Sequence, residues 1–134
     1  MRLVRISVGT VSMLAELNES RTAGRIHDAL PLVSRARIWG EEVYFSASLA
    51  LPEEEPVAHV PPGTVAYWLP GKAICLFYGQ KPASPVEVIG FLRGNPRELA
   101  NVREGDAVTM EVAEEPPGVP GGPEDFGPGD EEDV

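Results

Sequence analysis

The run from Gly63 to Gly79 carries one charged residue, Lys72, and that lysine stands next to Pro70-Gly71 at its midpoint. The run reads as two strands, 65–69 and 72–78, joined by a turn. Val65, Tyr67 and Leu69 alternate with Ala66 and Trp68; Ile74, Leu76 and Tyr78 alternate with Ala73, Cys75 and Phe77. Both parities are therefore apolar or aromatic, which suits a strand pair covered on both faces. One face must fill an interior, and the other must lie beneath a helix or loop. A closed antiparallel barrel meets that demand and also hides its strand edges. A sandwich is the alternative.

The flanking sequence supplies the other strands. Arg2 to Val8 and Val11 to Leu17 alternate around Gly9-Thr10, the glycine-then-polar pair of a two-residue type II′ hairpin. Ser20 is placed to cap a helix in which Ala23, Ile26 and Leu30 recur at helical spacing. Gly24 weakens that helix by about 1 kcal/mol relative to alanine, so packing must hold it. Pro31 closes it. Leu32 to Ile38 and Glu41 to Ser46 return to alternation on either side of Trp39-Gly40. Between Leu49 and Pro62, four prolines exclude a central strand. That stretch reads as an exposed loop with Glu53-Glu54-Glu55 in water and a short edge segment at 57–60. For the central turn, Leu69 to Lys72 fits a type II turn or a wider loop. Val86 to Leu92 is a strand, expected to turn Glu87, Ile89 and Phe91 to one side. Asn95-Pro96-Arg97-Glu98 is a helix start, with a capping asparagine and proline at the first helical position. Leu99 and Val102 give that helix a buried face, and Ala107 to Val112 is the last strand. The expected fold is all-β: a closed eight-stranded antiparallel barrel with two short helices.

Charge divides the chain. Seven of the 21 acidic residues follow Glu114, with no Lys or Arg among them, leaving 14 acids against 11 bases in the rest. We therefore expect a barrel domain over 1–114 and a disordered acidic Pro/Gly-rich tail over 115–134, because such a composition buries too little apolar surface to offset ordering entropy. Neither part has the basic face that a nucleic-acid partner requires. No apolar run nears the ~20 residues of a membrane helix, and no signal peptide is visible at the start. The expected location is cytoplasmic, with no membrane partner and a monomer or homodimer as the oligomeric state. Cys75 is the single cysteine. Its apolar neighbours mark it as an inert packed thiol. His59 has no second histidine near it, so no metal site is expected, and no cofactor.

Three blocks, Trp39 to Ser46, Gly63 to Gly79 and Val88-Ile89-Gly90, together with the opening hairpin and the Leu30-Pro31 helix end, resemble a small prokaryotic family of cyclophilin-like proteins. The resemblance spans roughly Met1 to Val112. It implies an eight-stranded barrel capped by two helices, the fold of peptidyl-prolyl isomerases. The isomerases' Phe-His-Arg, Gln-Gly-Gly and Trp-Leu-Asp-like segments do not occur here, and a shared fold does not transfer function.

The matching blocks gather Arg37, Trp39, Glu41, Glu42, Tyr44, Tyr67, Trp68, Lys72 and Tyr78, the ingredients of an aromatic pocket with a few polar anchors. Such a pocket would take a small molecule or peptide. The candidate ligand-binding residues are Arg37, Trp39, Glu41, Tyr44, Phe45, Tyr67 and Phe77. An alternative is prolyl isomerisation, in which Phe45, Phe77 or Tyr67 would seat the proline ring and Arg37 would donate a hydrogen bond. A third reading makes the acidic tail an interaction segment. No Ser-His-Asp or Cys-His set supports hydrolysis.

Overall fold

Val8 and Val11 face each other across Gly9-Thr10, and Gly9 takes φ 60°, as the first position of a type II′ turn requires. The hairpin so formed pairs β1 (Arg2–Val8) with β2 (Val11–Leu17). In the computed structural model, which describes residues 2–51, 54–79, 82 and 84–114, the chain continues through α1 (Arg21–Asp28), β3 (Leu32–Arg35), β4 (Arg37–Trp39) and β5 (Glu42–Ser46). Then follow β6 (Thr64–Trp68), β7 (Ala73–Phe77), β8 (Glu87–Leu92), a 3₁₀ helix (Pro96–Asn101) and β9 (Ala107–Val112). Residues 115–134, where the acidic tail was expected, lie outside the described residues. None of the described helices is long and apolar enough to cross a membrane.

The nine strands among the described residues form one sheet in the order β3-β9-β1-β2-β8-β6-β7-β5-β4, with every pairing antiparallel. The first and last strands of that order are consecutive in sequence, separated by Ala36 alone. The expected single strand from Leu32 to Ile38 is thus split. Its first half pairs with β9 and its second with β5. At the break, the Ala36 N–H donates to the Asp106 carbonyl at 2.8 Å, and the Ala36 carbonyl accepts from Gly105 N–H at 2.8 Å. Nine strands replace the expected eight because the strand that closes the barrel must change partners, and it loses regular pairing where it does so.

The interior is filled from alternate positions: Val4 and Ile6, Met13 and Ala15, Val43 and Phe45, Val65 and Tyr67, Ile74 and Leu76, Val108 and Met110. Ala23 and Ile26 of α1 and Leu99 of the 3₁₀ helix join this core. Burying each large aliphatic or aromatic side chain contributes about 1.5–3 kcal/mol. Ser20 caps α1 as expected, its hydroxyl accepting from Ala23 N–H at 3.1 Å. Asn95 likewise accepts from Arg97 N–H at 3.0 Å. The helix it starts is 3₁₀ rather than α, a form short segments often take.

One open alternative is resolved and three local expectations are corrected. In the β6–β7 connection, Lys72 rather than Gly71 has positive φ, at 51°, so the turn is not type II but the wider loop. In β8, a bulge opposite Val65 and Ala66 breaks the alternation, leaving Ile89 buried and Phe91 half-exposed. The glutamate run is not simply solvated. Glu54 accepts from both the N–H and the hydroxyl of Thr22, at 3.0 and 2.7 Å. The backbone N–H groups of Glu54 and Glu55 in turn donate to the buried Glu87 carboxylate at 2.8 and 3.0 Å. The edge segment expected at 57–60 reduces to one bridge, Val57 with Val86.

Candidate functional site

Side chains alternate faces along a strand, so each of β5, β6 and β7 carries an outer set beside the inner one. Cross-strand register lines the outer set up in rungs. Trp39 faces Glu42, and Glu42 faces Phe77. Tyr44 faces Cys75, and Cys75 faces Ala66. Trp68 faces Ala73. This outer face is apolar because it too is covered: Ala66, Cys75, Phe77 and Val86 form a second buried cluster, with Tyr44, Val60 and Trp68 packed against it. The central run is therefore apolar on both faces because two separate cores need it.

The covering is incomplete. A cavity of about 280 Å³ remains between the outer face and the segment leading into β8, lined by Trp39, Glu42, Tyr44, Trp68, Cys75, Phe77, Pro82, Ser84 and Val86. Four aromatic rings make its walls, and Trp39, 50 % exposed, forms the lip. Gly71 lets the Trp68 ring lie close, since a methyl group there would come within 2.2 Å of it. The indole Nε1 of Trp68 is buried and has no acceptor among the described residues. Buried donors are nearly always paired, so this one marks an unmet requirement.

Glu42 is the acid of the slot and is only 8 % exposed. Burial pushes its carboxyl pKa up, partly offset by a hydrogen bond with the Cys75 thiol. Burial, then the neighbouring Glu42 charge and a hydrogen bond with Glu42, hold the Cys75 thiol far above the usual thiol range. Cys75 Sγ also lies 4.0 Å from the Ala73 carbonyl oxygen, at the limit of a thiol hydrogen bond. A thiol held protonated in this way is no nucleophile.

The candidate residues separate by face. Trp39, Tyr44 and Phe77 meet in the slot. Phe45 and Tyr67 point into the barrel, both fully buried, and the Tyr67 hydroxyl donates to the Ala47 carbonyl at 2.8 Å. Arg37 is engaged outside the slot, its Nε 2.6 Å from Glu104 Oε2. Glu41 accepts from Arg97 Nη1 at 3.1 Å, and that guanidinium lies 5.6 Å from the centre of the Tyr78 ring. The candidates therefore do not converge on one cavity. Glu42 and Trp68 were among the residues gathered by the matching blocks and do line it. Pro82, Ser84 and Val86 were not singled out. Strand parity points to the first two, whereas the last three approach from a covering segment that no periodicity describes.

A closed antiparallel barrel with two short helices packed against its core and an aromatic slot on its outer face is the class of protein defined here. The chain matches the cyclophilin-like family over residues 2–111 and belongs to that family. A hypothetical protein from Archaeoglobus fulgidus, whose structure was determined in solution, is 39% identical with a TM-score of 0.72, over 84% of this chain and 95% of that one. McbB, solved in complex with tryptophan, shares the fold at 14% identity and a TM-score of 0.66, over 84% of this chain and 45% of that one. A comparison with curated proteins found no match.

Proposed function

We propose that this cyclophilin-like barrel binds a small flat molecule, or one apolar side chain of a peptide, in the outer-face slot. The observation that carries this reading is a preformed cavity of about 280 Å³ walled by Trp39, Tyr44, Trp68 and Phe77. Ligand sites are typically concave and mostly apolar, with a few polar groups that fix orientation. Here Glu42 and Ser84 are such groups. The volume suits a one- or two-ring molecule. Binding is favoured over prolyl isomerisation because no arginine or lysine is found among the described residues lining the slot, and Arg37 is held by Glu104.

Both tryptophans of the chain line the slot, so intrinsic fluorescence reports on it directly. Titration with a panel of ring compounds and proline peptides, indoles included because the fold neighbour McbB was solved with tryptophan, is expected to change that fluorescence saturably. Trp39→Ala removes an exposed lip rather than core, and is expected to weaken the best ligand about tenfold, the equivalent of ~1.4 kcal/mol. A flat response across the panel, or a Trp39→Ala variant that binds as well as the parent, refutes the assignment.

A further inference from the structure

Resting on that reading of the slot, we infer that its occupant carries a protonated amine that docks against Glu42 within the ring of Trp39, Tyr44, Trp68 and Phe77. Glu42 is flanked in register by Trp39 on one strand and Phe77 on the other, so the carboxyl sits between an accessible ring and a buried one. Its neighbours in sequence and space already have cationic partners. Glu41 pairs with Arg97, and Glu104 pairs with Arg37. For Glu42, no Lys or Arg contact is found among the described residues. The hydrogen-bonding neighbour of its carboxyl there is the Cys75 thiol, which brings no charge.

Three kinds of occupant behave differently against such a wall. An anion would meet the Glu42 charge with no Lys or Arg among the described lining residues to offset it. A neutral hydrocarbon would seal the carboxyl from water and leave its charge with only the neutral Cys75 thiol among the described residues, which is costly. An ammonium group would complete an ion pair, and the negative faces of the surrounding rings attract a cation as well. The carboxylate and the aromatic walls thus select the same sign of charge.

The test uses three probes with one ring and a short chain: 2-phenylethylamine, 2-phenylethanol and 3-phenylpropanoate, titrated at neutral pH against the full chain and followed by tryptophan fluorescence and amide NMR shifts. The amine is expected to bind about tenfold tighter than the alcohol, with the carboxylate weakest. In Glu42→Gln the ratio of amine to alcohol binding should fall to within about twofold. The wild-type ratio decides the matter even where the variant folds poorly. Equal binding of amine and alcohol, or an amine preference that survives Glu42→Gln, overturns the inference and leaves the slot standing as a neutral aromatic site. If none of the three probes nor any member of the wider panel perturbs the tryptophans, the slot reading itself falls.

Discussion

Burial raises the pKa of Glu42, so the fold favours its protonated form. The stabilising contribution of the neutral carboxyl is complete below the ordinary value of 4.5 and is lost as pH rises through the elevated folded value. Glu42→Gln keeps the shape and removes the titration. Thermal melts across pH should therefore show the variant matching the parent in acid and exceeding it at neutral pH. A difference that does not vary with pH would contradict this account of the site. At this scale the sequence was partly legible. Which aromatic residues occur together could be read, but which face each one joined depended on strand phase. Phe45 and Tyr67 stand one residue away from Tyr44 and Trp68, and that single step puts them on the far side of the sheet.

Elements in this chain are joined by side chains distant in sequence. Glu87 opens β8, yet it accepts from the backbone of Glu54 and Glu55, 33 and 32 residues earlier. Glu54 then reaches back to Thr22 at the start of α1. Loop, strand and helix are tied by two carboxylates. Glu87→Ala removes the acceptor of two backbone donors, and hydrogen bonds to a charged group contribute about 1.5–3 kcal/mol each. Chemical denaturation should show a loss near the low end of that range, since water can replace part of the interaction. Hydrogen exchange should accelerate at Glu54 and Glu55, whereas unchanged protection there would separate Glu87 from the loop. Local signals found the helix caps at Ser20 and Asn95, because capping is decided within four residues. No local signal reveals a loop acid bound to a strand across the fold, which is why the glutamate run read as solvated.

The whole molecule closes at one small residue. Ala36 is fully buried, and its two backbone groups bond to the turn before β9, at the point where the chain leaves one strand partner for another. Ala36→Leu would force three extra carbons into that seam. Overpacking of this kind costs about 1–3 kcal/mol, and the loss should show as a lowered melting temperature with a single cooperative transition. Full retention of stability would mean the seam is looser than the hydrogen bonds indicate. The barrel itself was legible from the doubly apolar central run, since only an enclosed sheet tolerates it. The split of one strand into two was not, because alternation continues through Ala36 without a break in pattern. The placement of the slot outside the barrel has a further consequence. Alternate positions of β5–β7 serve two different cores, one inside the barrel and one beneath the outer covering, and on the proposed reading the outer set also lines the binding slot. If that reading holds, relatives would change their cargo by rewriting alternate letters of three strands while the inner frame stays intact.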